Sequence, residues 1–345
     1  MKPKSASRRS GQFIVSTLSG AFLLLVATIT QADVVRTQTI QLRQGWNSIF
    51  LEVSPTNSDP ATALGQLPVG IVAAYYALET PVEFIKDPAS IGWKKEGWAV
   101  WYAPSRPDGF LSTLHALHGN KAYLIHAEQD CTWNIAGTVL LEPIRWKGNS
   151  FNLLGFGLDP QAPPTFAKFF AASKAHQQLR AYQLVSDRWQ LIQNPVGTLM
   201  KAGEAYWIFS QGSSDHQGPL TVSLDMGRSV LLRDNGGAAN ISLKNASTDP
   251  VAISVEQLSG PQSLPLAYLV RGFSSNQVSQ LSVDLPARLQ LPVQEALSGT
   301  ALKLELRGER MTEAQQSCLL KISTDAGTQI WIPVIGSRTD LEATP

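Results

Sequence analysis

Two ten-residue stretches, Trp46-Asn47-Ser48-Ile49-Phe50-Leu51-Glu52-Val53-Ser54-Pro55 and Phe151-Asn152-Leu153-Leu154-Gly155-Phe156-Gly157-Leu158-Asp159-Pro160, align without a gap at an offset of 105. Each opens on an aromatic residue followed by Asn and closes on Pro. Three further matches keep the same order: Ala74-Tyr75 with Ala181-Tyr182 at 107, Trp98 and Pro104 with Trp189 and Pro195 at 91, and Ala122-Tyr123-Leu124-Ile125 with Ala205-Tyr206-Trp207-Ile208 at 83. Four matches in one order mark an internal duplication. The falling offset places two insertions in the first copy, near residues 78–95 and 105–118.

Each copy reads as a small β-rich unit with one short helix. Apolar and polar residues alternate through Ile40 and Leu42 before Gly45-Trp46, and residues 123–127 and 132–141 have the β-branched and aromatic content of strands. Helices are predicted over residues 60–67 and 165–176, with Phe166, Phe169 and Phe170 on one face of the second. Ser58-Asp59-Pro60 and Pro163-Pro164 stand where helices begin.

After about residue 222 the pattern changes. Strands are predicted at 229–233, 239–244, 251–257, 265–269, 277–283, 301–306, 317–322 and 328–334. Asp234-Asn235-Gly236-Gly237, Asp249-Pro250 and Asp325-Ala326-Gly327 supply turn chemistry between them. That spacing predicts an immunoglobulin-like or fibronectin-like β-sandwich. The chain is therefore mainly β: repeat 1 over 33–141, repeat 2 over 142–224, the sandwich over 225–336 and a polar tail over 337–345.

Residues 1–32 read as a secretory signal peptide. Lys2, Lys4, Arg8 and Arg9 precede an apolar stretch from Phe13 to Ile29, Thr30-Gln31-Ala32 supplies the small residue of a cleavage site, and Ser16, Thr17, Ser19 and Gly20 interrupt the stretch as a membrane anchor would not. The full chain of 345 residues has 28 basic and 27 acidic side chains; without the signal peptide 24 stand against 27, a charge of −3. A mildly acidic chain with only 16% charged residues argues against nucleic-acid binding by bulk positive charge. Export to the periplasm, cell surface or exterior is expected, with no stable membrane span after cleavage.

Gly45-Trp46-Asn47 at the opening of a β unit and Gly203-Glu204-Ala205-Tyr206-Trp207-Ile208 at a close resemble the "GWN…GYW" repeats of secreted bacterial surface proteins, which are often joined to immunoglobulin-like modules. The resemblance covers about 33–225. Repeat 1 departs from the closing motif with Gly119-Asn120-Lys121-Ala122-Tyr123, and repeat 2 departs from the opening one. It implies an extracytoplasmic architectural or binding module and carries over no catalytic residue.

The residues offer little chemistry of their own. Of the five histidines, His115 and His118 could share a helix face beside Asp108 or Glu128, but none stands in an H-E-x-x-H arrangement. No catalytic residue, metal or cofactor is expected. A secreted hydrolase is the second alternative, because a carboxylate pair leaves no local signature.

Tryptophan gives the binding hypothesis. Trp46 (matched by Phe151) and Trp98 (matched by Trp189) stay aromatic in both copies, as a shared core requires. Trp101 and Tyr102 face Ile192 and Gln193, while Trp93 and Phe110 lie on the insertions. Trp93, Trp101, Tyr102 and Phe110 are thus the candidate carbohydrate-binding surface, since aromatic faces stack on sugars. The competing reading is that they hold the insertions down. The two cysteines, Cys131 and Cys318, would form an inter-domain disulfide or act as small hydrophobes in separate cores. The leading expectation is a non-enzymatic envelope or surface component that contacts other envelope or surface proteins; polysaccharide binding is the first alternative.

Overall fold

The computed structural model describes residues 34–76, 97–258, 264–274 and 277–338. The expected signal peptide lies outside the described residues, as does Trp93. The polar tail lies outside from residue 339 onward.

Repeat 1 contributes β1 (Val35–Leu42), β2 (Gly45–Leu51), β3 (Ser54–Pro55), α1 (Pro60–Leu64), β4 (Val69–Tyr75), β5 (Trp98–Tyr102), β6 (Lys121–Ala127) and β7 (Cys131–Thr138). Repeat 2 contributes β8 (Ser150–Gly155), α2 (Phe166–Phe170), β9 (Ala181–Val185), β10 (Arg188–Leu191) and β11 (Ala205–Ser210). The strand order is β2-β6-β4-β5 in one four-stranded sheet and β10-β9-β11-β8 in the other. Replacing each strand by its sequence counterpart turns one order into the other, so the duplication is one of topology. Register agrees as well: Trp46 pairs with His126 where Phe151 pairs with Phe209, at the offsets of 105 and 83.

One offset changes. Tyr75 pairs with Trp98, whereas the counterpart of Trp98, Trp189, pairs with Leu184. Tyr75 therefore corresponds to Leu184 at 109, and the first insertion is two residues longer than the Ala-Tyr match indicates. A two-residue slip along a strand returns every side chain to its own face, so the apolar pattern conceals it.

The two repeat sheets lie face to face. Trp46, Phe50, Tyr75, Tyr102 and Leu124 of the first share a core with Phe151, Leu153, Trp189 and Trp207 of the second. Behind the first sheet, a three-stranded sheet of order β1-β7-β3 and α1 form a second core with Ile49, Val72, Trp101 and Tyr123. Behind the second sheet, Phe166, Phe169 and Phe170 of α2 are buried against Ile192, Tyr206 and Ile208.

Both helices are shorter than predicted. Asp59 caps α1, accepting from Thr62 N at 2.9 Å, and Gly65 at φ +54° ends it within two turns. Thr165 caps α2, and the remainder of 165–176 includes a separate 3₁₀ turn, Lys174–His176.

The remaining strands are β12 (Leu220–Leu224), β13 (Val230–Arg233), β14 (Ala239–Asn245), β15 (Ile253–Leu258), β16 (Leu266–Ser274), β17 (Gln277–Asp284), β18 (Arg288–Gln290), β19 (Gly299–Leu306), β20 (Gln315–Thr324) and β21 (Gln329–Ser337). They build a β-sandwich of sheets β12-β14-β19-β16-β17 and β13-β21-β20-β15-β18 around one apolar core. All eight predicted strands are present. The sandwich begins at Leu220 rather than 225, because β12 pairs with β14, and Ser337 belongs to β21 rather than to a tail. The short β18, between Pro286 and Pro292, has too little alternation to be read from sequence.

The sandwich is stitched to both repeats. Gln329 N donates to Gly157 O at 3.1 Å and Asp159 N to Gly327 O at 3.0 Å. On β20, Cys318 points into the sandwich core and the next residue, Leu319, into the core of repeat 1. The Arg36 guanidinium stacks over Trp331 at 4.4 Å.

Candidate functional site

The residues that carry the repeat motif are used as internal locks. Asn47 Oδ1 accepts from Arg43 N at 3.0 Å, while its Nδ2 donates to Arg43 O at 2.8 Å and Gly45 O at 3.1 Å. Asn152 repeats the arrangement with Lys147 N at 2.7 Å, Lys147 O at 3.1 Å and Ser150 O at 3.0 Å. Both pin the chain as it enters the first strand of a repeat.

The Tyr of the closing motif has the same kind of role. Tyr123 Oη accepts from His118 N at 2.7 Å, and Tyr206 Oη from Lys201 N at 2.8 Å. Burial pushes both phenols well above their ordinary range. Between them the motif's glycine position is left-handed, at φ +76° for Gly203 and +54° for Asn120. Asn is the residue that most readily replaces Gly there, which explains the departure of repeat 1 from the motif.

The three described candidate binding residues, Trp101, Tyr102 and Phe110, all line one hollow, but they differ in exposure. Trp101 is 8% exposed and lies in the core with α1, and Tyr102 is 6% exposed and lies between the repeat sheets, on opposite faces of β5 as alternation requires. Little of either ring reaches solvent: the second insertion folds back over Trp101, and the second repeat covers Tyr102. Leu114 and Leu117 enter the core that holds Trp101. Thr113 Oγ1 and Ser112 Oγ accept from Val100 N and Tyr102 N of β5, each at 3.0 Å, closing the strand's outer edge.

Phe110 alone of the three described candidates is exposed, at 84%, on the one-turn 3₁₀ helix Gly109–Leu111. It borders a hollow whose walls also include Trp101 and Tyr102, with Asp59, Arg106, Ser112 and His115 as the polar groups. Arg106 is held there by Asp108 through Nε at 2.9 Å and Nη2 at 3.0 Å.

Cys131 and Cys318 are both free. Cys318 belongs to the sandwich core and Cys131 packs against the core of repeat 1, so of the two alternatives the structure has separate small hydrophobes and no disulfide. Burial is the main cause raising both thiols, Cys318 to about 12. Among the described residues, no group of three or more His, Cys, Asp or Glu side chains converges as metal ligands would, and no helix is long and apolar enough to cross a membrane.

Sequence reading gave no sign of an open sheet edge at β17. This strand pairs with β16 without a register break, from Ala267↔Asp284 to Ser274↔Gln277. Val283 lies opposite Tyr268, which packs against the sandwich core, so Val283 and Leu281 point to the core-facing side. They are nevertheless 37% and 58% exposed. Leu285 N donates to Leu266 O, and alternation from that bond turns the backbone groups of Gln280 and Ser282 toward the free side. Ser282 O accepts from Arg307 Nη2 at 3.1 Å, and among the described residues no strand pairs with the outer side of β17.

No family model matches the sequence, and no curated protein matches it. Among solved structures, part of the chain is similar to the YadV chaperone, with 12% identity over 37% of this chain and 55% of that one and a TM-score of 0.24. Part is similar to Salmonella enterica SafA pilin in complex with the SafB chaperone, with 17% identity over 36% and 58% of the two chains and a TM-score of 0.23. In both cases the match spans less than two thirds of the other chain.

Proposed function

We propose that this protein is a non-enzymatic, extracytoplasmic component of the bacterial envelope or cell surface that works through protein contacts, with its immunoglobulin-like sandwich as the contacting part. The observation that supports this reading most is the open edge of β17, where exposed Leu281 and Val283 stand beside outward backbone groups. An edge of this kind accepts a strand from another chain, the backbone supplying affinity and alternate side chains selectivity. The test is to place a photo-crosslinking amino acid at position 281 and fractionate producing cells. Protein adducts of defined mass in the exported fraction are expected. Retention in the cytoplasm, or an exported protein without any protein adduct, would overturn the reading.

A second reading, polysaccharide binding, is favoured by Phe110, whose ring is exposed beside Asp59, Arg106 and His115. Retardation in gels containing soluble polysaccharide, abolished by Phe110→Ala, would support it. Trp101→Ala is unsuited to that purpose, since it would empty part of a core.

A further inference from the structure

Resting on the protein-contact reading above, we propose that β17 is occupied by β17 of a second copy, in an antiparallel pair centred on Ser282. Only a pair centred on a residue keeps like faces together across a two-fold axis. With the axis at Ser282, Leu281 of each copy lies opposite Val283 of the other. The two exposed apolar side chains thereby cover one another on the core-facing side, and each sandwich extends its five-stranded sheet into its partner's.

Two properties of the strand favour a copy of itself over an unrelated chain. From Gln277 to Val283 the strand has no charged residue of its own, and the Arg307 guanidinium that reaches Ser282 O is paired with Asp284 of the same chain. It also lacks the Lys, Pro or bulge by which edge strands avoid self-pairing. The first charge, Asp284, is neutralised within its own chain by Arg310 at 2.7 Å and Arg307 at 3.4 Å. On the other face Ser282 Oγ donates to Glu305 Oε2 at 2.6 Å, holding that carboxylate back over its own sheet.

Sedimentation of the exported chain measures this directly. A dimer is expected for the parent protein, and for Leu281→Lys, which sets a charge against Val283 of the partner, a monomer with an unchanged circular-dichroism spectrum and a thermal midpoint that no longer depends on concentration. In a Cys131→Ser background, Ser282→Cys should form a disulfide-linked dimer under mild oxidation, while Ser223→Cys on β12, at the opposite edge of the same sheet, should not. A parent protein that stays monomeric overturns the proposal, as does a dimer indifferent to Leu281→Lys. If the chain is monomeric yet still crosslinks to a different protein from position 281, the pairing of copies falls and the protein-contact reading survives; if it crosslinks to nothing, both fall.

Discussion

Phe50 packs against Gly155, its own counterpart in the second repeat. A Cβ at Gly155 would lie within 3.0 Å of Phe50 Cβ, Cγ and Cδ2. Where two copies of one sheet meet face to face, equivalent positions confront each other, and one large side chain requires an absent one opposite. Gly155→Ala is expected to cost about 3 kcal/mol by overpacking. Phe50→Ala combined with Gly155→Ala should lose less than the sum of the single changes. Urea denaturation of the four proteins of this cycle measures both effects.

The Asn locks should be unequal. Asn152 is 4% exposed and Asn47 only partly buried, so the backbone groups left behind by Asn152→Ala are the harder to hydrate. About 2–3 kcal/mol is expected for Asn152→Ala and about 1 kcal/mol for Asn47→Ala. Asn152→Asp keeps the acceptor for Lys147 N but neither donor, and should recover only part of the loss. Chemical denaturation curves of the three variants would check the ranking.

Acid should loosen repeat 2. His176 and His216 have ring centroids 6.0 Å apart in the α2 core, with His176 Nδ1 2.6 Å from Ser173 Oγ and His216 Nε2 3.0 Å from Phe169 O. Burial pushes both down to about 4; for His176 the proximity of His216 adds to the effect. The unfolded chain, titrating near 6.5, binds protons that the folded one refuses. The stability this provides is complete above pH 6.5 and is lost as pH falls toward 4. The thermal midpoint should drop across that window, and His216→Gln should flatten the drop; a midpoint constant from pH 7 to 4 would refute this.

The cysteines should behave as two separate thiols. Alkylation of the unfolded protein without reductant is expected to modify both Cys131 and Cys318, as read by intact mass. In the native state Cys131 should react slowly and Cys318 not at all, since Cys318 is 1% exposed and its thiol is held at about 12. Recovery of a Cys131–Cys318 peptide pair would contradict this.

Much of the fold was legible in the sequence because it rests on local signals. Aromatic-Asn and the closing Ala-Tyr recur in the same order in both repeats, Phe166, Phe169 and Phe170 reveal a buried helix face, and turn residues separate the sandwich strands. What these residues touch was less accessible. The fit of Phe50 to Gly155 joins segments far apart in the chain, and the burial of Trp101 beside Leu114 and Leu117 depends on how the second insertion folds back. A tryptophan at a position that the other copy leaves aliphatic has the same local signature whether it is a platform or a core residue. Openness of β17 follows from the strand order of its sheet, which no window of sequence contains.

Cys318 and Leu319 face two different cores from one strand, so β20 is a wall common to the sandwich and repeat 1. Removing that wall to melt the sandwich would strip Leu319 from the repeat core, and melting the repeat would leave Leu319 and Trp331 uncovered. Three units can be counted along the sequence, but heat should meet them as one cooperative body, with a calorimetric enthalpy equal to the van't Hoff enthalpy of a single transition.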